Sequence, residues 1–514
     1  MTSHGGRRPV WRANAWLLAA SSASLACLQL GPVWYELLDA SKADRYFLPD
    51  FPRATFVAAL VSFVLLASFL FVVAMLFREE RFAPLHRLAA PVLLVSLLNP
   101  LTINGFYLFD RRSTLALYAT WNGSPWLLVV AGAFGLGVLV LAAVRYGPSL
   151  RIAGWLLLAL SPLAAFRVAE TVHAALSEPA PKCSSVPVTP SARESLRRVA
   201  ILVFDELDQR ATFEARPADL ELPEIDALER RSFSARRMAT AGPNTIEAVP
   251  GMTTGTRVVE AEPASAGSLL VRFEGRPDFE RWEEAPTLFH EARQRGARIG
   301  IVGFYHDYCR LFAPVIRSCR LLYLGTVQVE RETRGASVVP LVKAQLASID
   351  PLFRRRNAIE AYRRSLVYAR EAVADDSLDL VYLHVPVPHE PFLYDRRRRH
   401  LTSTRFSLDG YFGNLVLVDR FLGGLRKTLE ERGLWEETAL VVTGDHAWRA
   451  SKYYDGRHDD RVVFLVKPPR CHERSVYDEP VRATCLRDLV LGLLDGRLRD
   501  TAGVNAFLDG RRGE

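Results

Sequence analysis

Neither sign of charge dominates this chain of 514 residues: 65 Lys and Arg stand against 57 Asp and Glu, a net +8. It lacks any basic repeat interleaved with aromatics, and no cysteines stand at zinc-finger spacing, so the sequence gives no footprint for nucleic acid. Cysteine is scarce, at six in the whole chain. Cys309 and Cys319 are ten positions apart, and Cys471 and Cys485 fourteen. Either pair can close a short loop in an oxidising compartment, or all four can remain buried thiols. Cys183 is left over in the first case.

Long apolar runs, by contrast, fill the first third. Five segments are candidate membrane spans, at about 14–37, 54–77, 88–109, 125–144 and 152–175, because about 20 mostly apolar residues suffice to cross the hydrocarbon as a helix. The runs ATFVAALVSFVLLASFLFVVAML and PWLLVVAGAFGLGVLVLAAV are the clearest. The third carries Asn99, Pro100 and Asn104, tolerable where neighbouring helices satisfy them. The fifth is apolar only as far as Phe166, before Arg167, Glu170 and His173. The first follows Arg7, Arg8 and Arg12, as a signal peptide would; further spans downstream favour an uncleaved anchor. Basic residues orient the bundle. With a cytoplasmic N-terminus, eight arginines (7, 8, 12, 78, 81, 87, 145 and 151) lie inside. Lys42, Arg45, Arg53, Arg111 and Arg112 lie outside. Five spans put the rest of the chain on the outer face of the inner membrane; four leave it inside. A transmembrane domain is expected over 1–178 and a Pro/Ser-rich linker over 179–197.

A soluble domain is expected over 198–514. RVAILVFDELD opens it as a buried parallel strand ending in acids. Helices are expected at 222–233, 286–295, 357–374 and 415–432. The strands between them are ARIGIVGF, LDLVYLHVPVPHEPF, TALVVTGDHA and RVVFLVKPP. Strands alternating with helices specify a doubly wound, mostly parallel α/β sheet, whose ligands bind beyond the carboxyl ends of its strands. Three such ends carry polar groups: Asp205 with Glu206, His384 with His389, and Asp445 with His446. Carboxylates combined with imidazoles suit Zn or Mn. His384 reads as structural by strand alternation, His306 and Asp307 as a packed loop or as lining of the pocket, and Asp419 as a capping or packing partner. The Arg396–Arg399 run is a solvated face, or a cradle for an anionic headgroup or glycan phosphate.

The ordered set of VFDEL, GPNTIEAVPG, HEPFLYD, VVTGDHAWR and DGRHDD resembles the alkaline phosphatase superfamily. Within it the set is similar to the membrane-anchored sulfatase-like branch, with its phosphoethanolamine transferases and lipoteichoic acid synthases. The resemblance covers roughly 198–497, and the spans fit the same branch. It implies an acidic metal ligand after the first strand, on Asp205, Glu206 or both. The branch usually has Gly before that Glu, so Asp205 departs from its pattern. It implies a nucleophile at Thr245, five residues before Pro250, and a ligand pair at Asp445 and His446. His458 would be the trailing His, contacting the phosphate or a second metal. His389 matches the His of a His-Gly-Pro run, with Glu390 in place of Gly. The Cys-x-Pro-x-Arg run that true sulfatases need is absent.

These residues imply a divalent metal holding the Thr245 oxygen together with Asp205, Glu206, Asp445 and His446. His389 and His458 would serve the phosphate oxygens or the leaving alcohol. The expected activity is transfer of phosphoethanolamine or phosphoglycerol from a phospholipid donor to an envelope glycan or lipid, through phospho-Thr245. The alternatives are a metal-dependent phosphodiesterase or phosphatase using water, and a non-catalytic envelope scaffold.

Overall fold

The computed structural model describes residues 15–39, 45–48, 51–77, 85, 87–96, 125–177, 196–323, 337–350, 353–402 and 408–511. The expected third span beyond 96, most of the expected linker and Cys183 lie outside them. Two compact units emerge. One comprises Met1–Ala40, Asp50–Pro181 and Gly325–Arg354; the other comprises Ser41–Pro49, Lys182–Leu324 and Arg355–Glu514.

The first unit is helical. Arg53–Leu76 is 24 residues long with mean hydropathy 2.8, long and apolar enough to cross a membrane by itself. The first expected span falls in a bent pair, and the fourth, a continuous helix Pro125–Val144, forms a second bent pair with the helix after it. Ala15–Gln29 meets Gly31–Leu38 at 62°, and Gly132–Val144 meets Tyr146–Ala159 at 97°. The described residues therefore hold one continuous span, or up to three if each bent pair counts as one, where five are expected from the apolar runs. Proline accounts for the breaks: Pro32, Pro148 and Pro162 each lie in the first turn of a following helix. There the missing N–H costs nothing, whereas inside a continuous helix it would break the ladder. The fifth expected span is likewise divided between Tyr146–Ala159 and Ser161–Leu176. The unit also includes a helix the hydropathy reading passed over, Val338–Ala347. Leu341 and Val342 pack on Ala58, the Ser62 hydroxyl donates to Gln345 Oε1 at 2.9 Å, and Gln345 Nε2 donates to the Thr55 carbonyl at 3.1 Å.

The second unit is an α/β body around an eight-stranded sheet. In chain order its strands are β1 (Arg198–Phe204), β2 (Phe233–Ala235), β3 (Ile299–Phe304), β4 (Ser318–Leu322), β5 (Leu380–Val385), β6 (Thr438–Gly444), β7 (Phe464–Lys467) and β8 (Ser475–Tyr477). They lie in the order β8-β2-β7-β6-β1-β5-β3-β4, and only the pairs made by β7 are antiparallel. Central β1 shows why a near-continuous apolar run is needed. Val199, Ile201 and Val203 enter one core, while Ala200, Leu202 and Phe204 enter the other. Helices Leu288–Gln294 and Leu486–Leu494 contribute to the first core, and Phe353–Ala374 and Asp409–Glu431 to the second. The expected doubly wound, mostly parallel sheet is observed.

Two smaller expectations resolve differently. Cys309 and Cys319 are disulfide-bonded, whereas Cys471 and Cys485 are buried thiols with no bridge between them. Peptide mapping without reduction should recover a cross-linked 309–319 pair, with Cys471 and Cys485 alkylated only after denaturation. A recovered 471–485 bridge would contradict the fold. Asp419 caps a helix: its Oδ1 accepts from the backbone N–H groups of Glu224 and Ile225 at 2.8 and 2.9 Å, which open the helix Pro223–Glu229.

Candidate metal and phosphoryl-transfer site

Register brings the strand ends together. Phe204 is the partner of Gly444 on β6 and of Val385 on β5, so Asp205 and Asp445 leave adjacent strands side by side. The Asp445 N–H donates to the Phe204 carbonyl at 3.2 Å, and the Asp205 N–H to the Val385 carbonyl at 3.0 Å. Gly444 is required where it stands. A Cβ there would lie 2.6 Å from the Leu207 carbonyl oxygen and 3.2 Å from its carbon and nitrogen. The obstacle is the Leu207 backbone rather than a flexible side chain, so Gly444→Ala should lower the melting temperature by several degrees and displace Asp445. A melt indistinguishable from the parent's would contradict that packing.

Asp205, Asp445 and His446 are buried, and each offers a ligand atom within 4.8 Å of the others. Oδ1 of Asp205 and Oδ2 of Asp445 are buried without a hydrogen-bond donor. His446 Nδ1 lies 3.0 Å from the Ala447 carbonyl. A carbonyl only accepts, so Nδ1 carries the proton and Nε2 presents its lone pair. That lone pair faces Asp205 Oδ1 at 3.5 Å and Asp445 Oδ2 at 3.7 Å. Three acceptors turned toward one point, out of water, form an arrangement that a cation resolves. Burial and the neighbouring Asp445 push the Asp205 carboxyl well above the usual range. Burial acts the same way on Asp445, but His446, His384 and the Glu206 N–H offset it and hold that carboxyl below its usual value. The donor set fits a divalent metal.

Thr245 closes this group. It is the first residue of the helix Thr245–Thr254, preceded by the extended Asn244. Its Oγ1 lies 3.3 Å from His446 Nε2. The amino end of a helix favours negative charge on whatever the hydroxyl becomes. The carbonyl of Thr245 is held from behind: His306 Nε2 lies 3.3 Å from it, and His306 Nδ1 lies 2.6 Å from the Tyr46 hydroxyl. The carbonyl fixes the tautomer, so Nε2 donates and Nδ1 accepts from Tyr46. Burial pushes His306 down to about 3, which keeps the ring neutral. His306 is thus more than a member of a packed loop, and nothing local in the sequence ties it or Tyr46 to Thr245.

Glu206 departs from the ligand set expected of it. Its backbone is left-handed, with φ of 67°, a conformation few non-glycine residues adopt. Its N–H donates to Asp445 Oδ1 at 3.1 Å, and its carbonyl accepts from the Tyr411 hydroxyl at 2.7 Å. The side chain turns to Arg449, whose Nε donates to Glu206 Oε1 at 2.9 Å. Burial opposes the Glu206 charge, but His389, His446 and Arg449 outweigh it and hold the carboxyl below its usual range. Arg449 also donates to His389 Nε2 at 2.9 Å and to Asn244 Oδ1 at 3.3 Å. His389 therefore stands beside the Thr245 end of the helix, its Nδ1 2.5 Å from the Glu390 carbonyl. Buried Asn414 secures this loop through the carbonyls of Pro388, His389 and Pro391.

Two other histidines differ. His384, read as structural, is fully buried behind Asp445. Its Nδ1 lies 2.8 Å from the Tyr308 hydroxyl, and its Nε2 lies 4.0 Å from Asp445 Oδ2. His458 is exposed, with Nε2 3.1 Å from Asp460 Oδ1 and Nδ1 3.4 Å from Ser451 Oγ. The short helix Ser451–Asp455, closed by left-handed Gly456, carries the His458 loop to the surface. Its contacts are there, not in the buried group. Of the basic run, Arg396 is committed to Asp219 and Asp409, while Arg397, Arg398 and Arg399 are exposed.

The Sulfatase family matches residues 366–494, a stretch that includes His389, Asp445, His446 and His458 but not Asp205 or Thr245. No curated protein matches the chain. Similar solved structures include Ps i-CgsB in complex with k-i-k-neocarrahexaose, at 16% identity and TM-score 0.43, covering 62% of this chain and 77% of the other. Phosphonate monoester hydrolase SpPMH from Silicibacter pomeroyi has 15% identity and TM-score 0.38, over 58% and 73%. The lipoteichoic acid synthase LtaP from Listeria monocytogenes has 13% identity and TM-score 0.37, over 58% and 72%.

Proposed function

We propose that this chain, whose α/β domain is of the sulfatase type in the alkaline phosphatase superfamily, is a membrane-anchored, metal-dependent transferase of a phospho-group. Phosphoethanolamine or phosphoglycerol would pass from a phospholipid to an envelope glycan or lipid. The observation that carries the reading is the Thr245 hydroxyl, set 3.3 Å from the His446 lone pair beside two buried carboxylate oxygens without donors.

A divalent cation, Zn or Mn, held by Asp205, Asp445 and His446 would lower the pKa of the Thr245 hydroxyl and offset charge at the phosphoryl group. Thr245 Oγ1 attacks phosphorus as its proton passes to water, from which the departing lipid alkoxide takes one. The P–O bond to the lipid alcohol breaks, and that alcohol leaves with a proton. The group now rests on Thr245 as a phosphodiester. An acceptor hydroxyl then attacks phosphorus, loses its proton, and returns Thr245 as the alcohol, giving ping-pong kinetics. The Tyr46–His306 pair holds the Thr245 backbone through both half-reactions. We assign His389, which Arg449 links to Asn244, to the phosphate oxygens or the leaving alcohol, and His458 to the phosphate oxygens from its surface loop.

Two observations favour the membrane and the outer face. The helices Arg53–Leu76 and Pro125–Val144 turn large apolar side chains outward, among them Val64, Phe69, Val72, Phe134 and Leu141, as lipid-facing helices do. The Cys309–Cys319 disulfide fits an oxidising compartment.

The test is purified full-length protein in lipid micelles, with phospholipid donors and with or without envelope glycan acceptors. Metal-dependent appearance of headgroup on the acceptor supports transfer. Headgroup released to water at one rate whatever the acceptor replaces transfer with phosphodiester hydrolysis. Sulfate ester cleavage in place of both removes the phosphoryl reading.

A further inference from the structure

We propose that Arg449 receives the nonbridging oxygens of the phospho-group, and that Glu206 is its anchor rather than a metal ligand. This rests on the reading of Thr245 as the nucleophile.

The first support is the shape of the pair. The Glu206 side chain is 7% exposed and the Arg449 side chain 43%. The buried carboxylate takes Nε at 2.9 Å and also lies 3.4 Å from the Arg449 backbone nitrogen. One edge of the guanidinium is thus fixed from within while its other end is open. A guanidinium has five N–H donors in a rigid plane. Three are engaged, by Glu206, His389 and Asn244, so five less three leaves two on the terminal nitrogens. The Asn244 amide oxygen is a neutral acceptor, a weaker partner for a cation than a phosphate oxygen would be.

The second support is position. Asn244 directly precedes Thr245, so the terminal nitrogens lie along the edge of the nucleophile's helix. Arg449 reaches this end of the helix through Asn244, and the metal-binding set reaches it through His446. A phosphodiester presents two equivalent nonbridging oxygens, which match the planar fork of arginine better than the point charge of lysine.

The third support is the backbone. The left-handed turn at Glu206 separates two consecutive acids, sending Asp205 to the metal-binding group and Glu206 to Arg449. Moving Glu206 to the metal would leave a partly buried guanidinium without its carboxylate, a costly exchange.

The experiment uses full-length protein in detergent, with Arg449→Ala, Arg449→Lys and Glu206→Gln. Metal content is read by elemental analysis, and binding of inorganic phosphate by calorimetry in metal-free and metal-loaded samples. Arg449→Ala should keep parental metal content and weaken phosphate binding at least about tenfold in both samples. Arg449→Lys should recover part of that loss. Glu206→Gln should also keep its metal and lose several-fold in phosphate affinity. Phosphate binding within twofold of the parent in Arg449→Ala overturns the proposal, as does loss of metal from Glu206→Gln. Should the alanine variant fail to fold, the lysine variant decides: unchanged affinity contradicts the fork. Failure of the underlying reading looks different, since the parent itself would then show no metal-dependent phosphodiester turnover.

Discussion

Thr245→Ala is expected to lose at least about a thousandfold in phosphodiester turnover while keeping its metal and its melting temperature. The expectation follows from how little else Thr245 supports. Its hydroxyl lies 3.3 Å from His446 Nε2 and also helps hold the Asp445 carboxylate. The helix it opens is secured by main-chain bonds, from the Glu247 and Ala248 N–H groups to the Asn244 carbonyl. Removing the hydroxyl removes the atom proposed to attack and leaves the helix. Thr245→Ser should retain measurable turnover, because Oγ stays on the same backbone. Equal activity in the parent and the alanine variant would remove Thr245 from the chemistry.

Asp445→Asn is expected to abolish stoichiometric metal binding, and turnover with it. Asp445 is the junction of the site. Its Oδ1 accepts from the Glu206 N–H at 3.1 Å and from its neighbour His446 N–H at 2.7 Å, while Oδ2 points at His446 and His384. Asparagine can keep the first oxygen and its two donors, so the strand ends stay in place. It replaces the second oxygen with an NH₂ group, whose hydrogens point where a cation must sit. Metal that protects the parent against heat should not protect the variant: at a hundred times its Kd, about 2.7 kcal/mol of stabilisation disappears. Elemental analysis and melts with and without chelator measure both effects. Full metal occupancy in Asp445→Asn would show that the ion sits elsewhere.

Much of this site was legible because it rests on strand ends. VAILVF and ALVV are short, β-branched apolar runs of the kind buried parallel strands need, and in a parallel sheet the polar residues after them emerge at one edge. The register of Phe204 with Gly444 and Val385 turned that expectation into a distance. Glu206 was not legible in the same way. Whether an acid beside Asp205 joins the metal or an arginine depends on one backbone torsion, and no local pattern predicts a left-handed glutamate. Arg449 was visible in GDHAWR but had no assigned role, since its partners lie far apart in sequence. Tyr46 escaped for the same reason, since His306, named in its loop, lies 260 positions away. In the helical unit, hydropathy found the apolar runs but not where Pro32 and Pro162 divide them. It also passed over Val338–Ala347, a short helix whose place depends on packing with Ser62 and Ala58.

The most direct test is mass spectrometry of the protein quenched with acid during turnover of a phospholipid donor. The peptide carrying Thr245 should gain the mass of the transferred phospho-group, with the fragment ions placing it on that residue, and metal-free protein should show no gain. Turnover at full rate with that peptide unmodified throughout, or with the adduct on a different side chain, would contradict the account.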